Sequence, residues 1–154
     1  MNMHVTVRQL TADDADLLGY LLAHEADFDL EDRQQTHYTI DQPAVRRFVT
    51  NPATLCWVAF ADAKPIGSLH CIRLPVLTSN GEELLLYDIG VHHVWRRQGA
   101  GRALLAAMED WMQRHGVTEV WVLADNPAAV AFYRACGFGV DQSQPVYLTR
   151  CLAD

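Results

Sequence analysis

The stretch YDIGVHHVWRRQGAGRALL, residues 87–105, decides the fold because its pattern changes three times. An apolar run interrupted by one glycine, YDIGV, gives way to a short basic and aromatic link, HHVW, and then to the turn RRQGAGR. After the turn, Leu104, Leu105, Met108 and Met112 recur at helical spacing until Gly116 stops the pattern. The reading is strand, tight turn, helix. At such a junction the first helical N–H groups lack intrahelical partners, and the helix dipole points its positive end outward. Gly99 and Gly101 let the backbone approach a ligand with no Cβ in the way. Arg96, Arg97 and Arg102 add guanidinium groups that can grip phosphate oxygens in pairs. Taken alone, the turn reads either as an anion site or as a plain strand-to-helix turn with solvent-facing arginines, and it lacks both the GxGxxG of dinucleotide folds and the GK[ST] of a P-loop.

Working outward, ELLLYDIGV (residues 83–91) is nearly apolar throughout and predicts a central strand. LCWVAFA (55–61) and IGSLHCIRL (66–74) flank DAKP and predict a hairpin or adjacent strands. VTVRQL (5–10) alternates like a strand. TADD follows, with Thr11 and Asp14 spaced as a capping box ahead of a helix carrying Leu17, Leu18, Leu21 and Leu22. A second helix starts near Asp41 with Pro43 in its first turn, burying Val45, Phe48 and Val49. Beyond Gly116, VTEVWVLA (117–124) predicts a strand. ADNPAAVAFYRACGF (124–138) predicts a helix capped by Asn126, with Pro127 in its first turn and Gly137 past its end, and VYLTRCL (146–152) a last strand. The order β-α-α-β-β-β-α-β-α-β is a mixed α/β layer fold.

Length and charge bound the rest. A chain of 154 residues, 50% hydrophobic, holds one domain, residues 1–154. No run of apolar residues follows a basic start, and no segment approaches the ~18 apolar residues of a membrane span. Cys56, Cys71, Cys136 and Cys151 form no CxxC pair and sit among apolar residues, which fits a reducing cytoplasm. The formal charge is -7, and no Lys or Arg occurs between Arg8 and Arg33, where eight acidic residues fall. That block reads as a solvated helix face and loop, or as a surface that disfavours nucleic acid and suits a polycation.

Two motifs then combine. R-x-x-G-x-G at Arg96, Gly99 and Gly101, behind YDIGV and ahead of RALLAAMEDW, resembles the acetyl-CoA signature of the GNAT superfamily of N-acetyltransferases. ADNPAAVAFYRACGF is similar to that superfamily's next motif, in the same order and separated by one helix. The resemblance implies a GNAT-like α/β (α+β) fold: a mixed, mostly antiparallel central sheet, helices on both faces, and splayed parallel strands forming the coenzyme A cleft. It also implies acetyl-CoA as cofactor, with the pyrophosphate on Arg96, Arg97, Gln98, Gly99, Ala100, Gly101 and Arg102. Asn126, Phe132 and Tyr133 would add contacts, and Ile89, Gly90 and Val91 would pair with the pantetheine arm and polarise the acetyl carbonyl. From residue 83 onward the chain looks most like the type I aminoglycoside 3-N-acetyltransferases, which carry a tyrosine-aspartate pair on this strand and an RRQG turn. It departs from them in HHVW and in Gly101, where they carry alanine.

The implied reaction is direct attack of an amine on a thioester. Tyr133, a phenol near pKa ~10, can protonate a departing thiolate whose acid form lies near ~8.5. Gly90 in an apolar strand signals a bulge or a close backbone approach. Asp88 beside it is expensive to bury without a partner, which a cationic amine would supply. Whether Asp88, a histidine (His24, His37, His92 or His93) or water takes the amine's proton stays open, because an ordinary carboxylate is a weak base at neutral pH. With no CxxC, HExxH or carboxylate cluster at ligand spacing, the sequence assigns no metal. Asp27, Asp29, Glu31 and Asp32, with Asp88, are the expected acidic wall for a polycationic amine. A polyamine, a small metabolite amine or a peptide N-terminus fits the same scaffold, as does a CoA-binding module without turnover. The resemblance further implies a homodimer through the C-terminal elements.

Overall fold

The computed structural model describes residues 4–28, 40–77, 81–143 and 145–152. The chain divides into two compact units, Met1–Leu123 and Ala124–Asp154. The first is built on a five-stranded sheet in the order β1 (Val5–Gln9), β2 (Thr54–Ala61), β3 (Lys64–Pro75), β4 (Glu82–Val91) and β5 (Val120–Trp121). The first four strands run antiparallel to their neighbours, and only the β4–β5 pair is parallel. β2 and β3 form the expected hairpin. Its two-residue turn is Asp62 and Ala63, both in the left-handed region at φ 47° and 66°, which matches the twist of the strands it joins.

The capping box forms as TADD predicts. The Thr11 amide donates to Asp14 Oδ2 at 2.7 Å, and Arg8 closes on the same carboxylate at 2.8 and 3.0 Å. A single 3-10 turn then leads into α1 (Ala15–Ala23), followed by the short α2 (Glu25–Phe28) and by α3 (Gln42–Thr50). α4 (Ala100–His115) ends at Gly116, φ 70°.

Adjacent residues on β3 show that helices cover both faces of the sheet. Cys71 donates to the Met108 sulfur of α4 at 3.6 Å, while the neighbouring His70 ring meets Phe48 of α3 at 4.6 Å. Successive strand side chains point to opposite faces, so α3 and α4 lie on opposite sides. The core is Val58, Ile66, Leu69, Cys71, Leu84, Leu86, Leu104 and Met108, each at most 1% exposed. Burial pushes the Cys56 and Cys71 thiols up to about 12, so both behave as packed apolar groups.

Two expected strands differ. VTEVWVLA pairs only at Val120 and Trp121, opposite Leu84 and Leu85, because the chain then leaves the β4 edge. VYLTRCL forms no strand. Val146, Tyr147, Leu148 and Leu152 are 79–85% exposed, and three consecutive apolar residues break the alternation that would bury one face. In the second unit, α5 (Pro127–Ala135) starts as predicted, with the Ala129 amide donating to Asn126 Oδ1 at 2.8 Å. Among the described residues no helix is long and apolar enough to cross a membrane.

Candidate active site

β4 runs on past its parallel partner β5. β5 departs after Trp121, whereas β4 continues to Val91, so β4 residues 86–91 carry no β5 pairing among the described residues. An unpaired strand edge presents a row of N–H and C=O groups to any extended ligand.

Gly99 stands at the start of α4 with φ 93° and ψ −2°, and no side chain caps the helix there. A Cβ built on Gly99 would meet nothing within 4 Å, so no neighbouring group crowds that position. Arg97 is also left-handed, at φ 60°. The structure divides the arginines. Arg96 Nε donates to the Val91 carbonyl at 3.0 Å, and Gln98 Nε2 donates to the Val94 carbonyl at 3.1 Å, so these two side chains brace the turn. Arg97 and Arg102 are exposed residues that add positive charge to the turn. The residues therefore fit a diphosphate: an uncapped helix start, glycine in place of a side chain, and two exposed guanidinium groups.

The end of β4 is less regular than its sequence. His70 pairs with Asp88 and Cys71 with Leu86, which leaves Tyr87 as the extra residue of a β-bulge. The expected bulge thus lies at Tyr87. At Gly90 the alternative reading, a close approach, is what occurs: a Cβ there would sit 3.2 Å from the Phe28 carbonyl oxygen and 3.3 Å from Phe28 Cβ. Asp88 is exposed, and so is Tyr87 at 64%, which corrects the expectation of a carboxylate in a buried strand. The bulge breaks the alternation and leaves both residues exposed.

His70 was not foreseen. Its ring lies between Phe48 at 4.6 Å and Tyr87 at 5.2 Å, and its Nε2 is buried without a hydrogen-bond partner. Burial pulls its pKa down to about 4, so the ring is neutral near pH 7. The signal was available, since a histidine interrupts the apolar strand IGSLHCIRL, but its partner Phe48 comes from a distant helix. Of the expected acidic wall, Asp27 is placed beside β4, where its carbonyl lies 3.4 Å from His93 Nδ1. Asp29, Glu31 and Asp32, like His37, lie outside the described residues.

In Ala124–Asp154, Tyr133 is buried, with ring centroids 5.4 Å from Phe132 and 5.3 Å from Phe138. Asn126 spends its side-chain oxygen on the α5 cap and donates to Asp125 at 3.3 Å. Asp125, Asn126, Val130 and Arg134 line a shallow groove at the start of that helix.

The profile of the Acetyltransferase (GNAT) family matches residues 12–138, from the capping box to the last residue of the second motif. The chain belongs to the GNAT acetyltransferase family. Members of this family use acetyl-CoA. Among relatives, the GNAT chain is 42% identical over 59 residues to the [ribosomal protein bS18]-alanine N-acetyltransferase of Escherichia coli (strain K12), covering 37% of this chain and 40% of that one. It is 32% identical over 136 residues to the mycothiol acetyltransferase of Clavibacter sepedonicus, covering 87% of this chain and 42% of the relative. The chain thus spans about two fifths of the length of the curated relatives it matches. Among solved structures, an aminoglycoside acetyltransferase, meta-AAC0020, from an uncultured soil metagenomic sample in complex with sisomicin superimposes with a TM-score of 0.84. That likeness covers 97% of both chains at 24% identity and is one of fold. The five-stranded, mostly antiparallel sheet with helices on both faces is the GNAT architecture.

Proposed function

We propose that this GNAT chain transfers the acetyl group of acetyl-CoA directly to a primary amine of a polycationic small molecule, the 3-amino group of an aminoglycoside being the specific reading. The observation that carries it is the pairing of two neighbours: the open edge of β4 at residues 86–91 and the uncapped start of α4 at Gly99. When bound, acetyl-CoA supplies a thioester carbonyl open to attack by an amine. The backbone around Gln98 to Arg102, with Arg97 and Arg102, would hold the diphosphate. The N–H groups of Ile89, Gly90 and Val91 would orient the acetyl arm, and one such donor contributes roughly 3 kcal/mol to an oxyanion-like transition state. The exposed Asp88 attracts and orients the ammonium group, with Asp27 adding negative charge on the same side. One proton must leave the ammonium group, to Asp88, a histidine or water, before its nitrogen attacks, and Tyr133 returns a proton to the departing thiolate.

The aminoglycoside reading is supported by the acidic block and by the aminoglycoside acetyltransferase that shares the fold. A peptide N-terminus is the second reading, favoured by the 42% match to an alanine N-acetyltransferase. Thiol release from acetyl-CoA, measured against aminoglycosides, polyamines and basic peptides and followed by mass spectrometry of the product, separates the two. Acetylated aminoglycoside is the expected product. Turnover restricted to peptides would transfer the conclusion to the second reading, and no thiol release with any amine would end both. Tyr133→Phe should lower kcat by about 100-fold or more with little change in KM for acetyl-CoA. An unchanged kcat would remove Tyr133 from the mechanism.

A further inference from the structure

The sequence offers no metal-ligand spacing because the relevant residues lie 66 positions apart, and only the fold joins them. Asp27 leaves α2 beside the end of β4, where His92 opens the 3-10 turn His93–Trp95. That turn stacks the two neighbouring imidazoles with centroids 4.6 Å apart and planes 22° apart, so both rings face the same neighbourhood. One ligand atom from each of Asp27, His92 and His93 lies within 4.8 Å of the other two, and this is the group among the described residues with that arrangement. We propose that Asp27, His92 and His93 form a binding site for a divalent transition-metal ion, with two imidazole nitrogens and one carboxylate oxygen as protein ligands.

The donor set selects the ion. Two imidazoles and a carboxylate suit Zn²⁺, Co²⁺, Ni²⁺ or Cu²⁺ and disfavour Mg²⁺, which prefers oxygen ligands throughout. Ligands at about 2.0–2.2 Å from an ion stand roughly 3.4 Å apart in tetrahedral geometry, so the cluster closes by about an ångström on binding. His93 is exposed and Asp27 half-buried, which lets side-chain rotation make that adjustment. Existing bonds do not oppose it. His93 Nδ1 stands 3.4 Å from the Asp27 carbonyl, the arrangement in which a metal-bound imidazole gives its other N–H to a backbone oxygen. His92 Nδ1 accepts a long 3.4 Å bond from the Val94 amide, weak enough for an ion to displace. Three protein ligands leave a fourth position to water. A bound ion would tie α2 to the end of β4, next to the contact between Phe28 and Gly90. The site does not rest on the acetyl-transfer reading, although an ion there would engage the Asp27 carboxylate that the reading assigns to a cationic amine.

The test uses the whole chain without a histidine tag, treated with chelator and titrated with Co²⁺ by visible absorption and with Zn²⁺ by calorimetry. One ion per chain, a d–d spectrum of four- or five-coordinate cobalt, and a rise in Tm with Zn²⁺ are expected. His92→Ala/His93→Ala should weaken Zn²⁺ binding at least about 100-fold and Asp27→Asn about tenfold, while His24→Ala and His115→Ala leave it intact. Circular dichroism establishes that each variant is folded. Absence of saturable binding, retention of affinity in the double histidine variant, or displacement of the ion by Mg²⁺ would overturn the site.

Discussion

Two regions border the open edge of β4, and they are made in different ways. The turn from Arg96 to Arg102 is local: its glycines, the braces from Arg96 to Val91 and Gln98 to Val94, and the helix it starts all fall within one short run of sequence. The end of β4 is assembled from afar. Tyr87 bulges against β3, its ring meets His70, His70 meets Phe48 of α3, and Gly90 meets Phe28 of α2. The first kind of site can be read from a motif, because neighbouring residues dictate its backbone. The second depends on which distant elements the topology brings together, so no motif announces it.

The largest expected effect tests whether the far-assembled region is closed around His70. In the unfolded chain this imidazole takes up a proton as pH falls through about 6.5, whereas in the folded protein burial keeps it neutral down to about 4. The lowered value means that its contribution to stability is present above pH 6.5 and is lost progressively as pH falls to 4. Denaturant unfolding across that window should show a loss attributable to His70 on the order of 2–3 kcal/mol. His70→Phe keeps a ring between Phe48 and Tyr87 and should remove most of that slope. An unchanged slope would mean that the ring is solvated and the region open.

The same contrast explains what was legible in the sequence. The capping box at Thr11 and Asp14, the helix start at Asn126 and Pro127, the β2–β3 hairpin and the glycine turn all appear where local chemistry put them, since each rests on residues within a few positions of one another. The bulge could be placed only to within three residues. Gly90 gave the signal, but the bulge fell at Tyr87, where strand register rather than glycine decides it. Asp88 looked buried because its strand is apolar, and the bulge exposes it. VYLTRCL looked like a strand because of its residue types, but a strand also needs a neighbour, and residue types do not name one. The Asp27, His92 and His93 cluster carried no sequence signal, because ligands from α2 and from beyond β4 share no local pattern.

Gly90 and Gly99 put the contrast in one residue type. Gly90 lies outside the left-handed region, and its requirement is space: a Cβ would press on the Phe28 main chain at 3.2 Å and on Phe28 Cβ at 3.3 Å. Gly90→Ala should therefore lower unfolding free energy by about 1–2 kcal/mol, and Gly90→Asn by more, because each added atom must move α2. Phe28→Ala should give no relief, since the contacting Cβ and carbonyl remain. Equal stability of wild type and Gly90→Ala would show that α2 does not hold its place against the strand.

Gly99 has the opposite requirement. Nothing lies within 4 Å of its would-be Cβ, yet its φ is 93°, a conformation that side chains resist through their own backbone. Gly99→Ala should cost about 1 kcal/mol of stability, and Gly99→Asn less, because asparagine tolerates the left-handed region. The ranking of alanine and asparagine therefore reverses between the two glycines, and thermal unfolding of the four variants measures the reversal directly. KM for acetyl-CoA should rise with strain at Gly99, more for alanine than for asparagine, if that backbone shape aims the α4 amides at a diphosphate. The Gly90 ranking appearing at Gly99 would mean that crowding by a neighbour, not backbone conformation, fixes the turn, and that its amides are not held open for an anion.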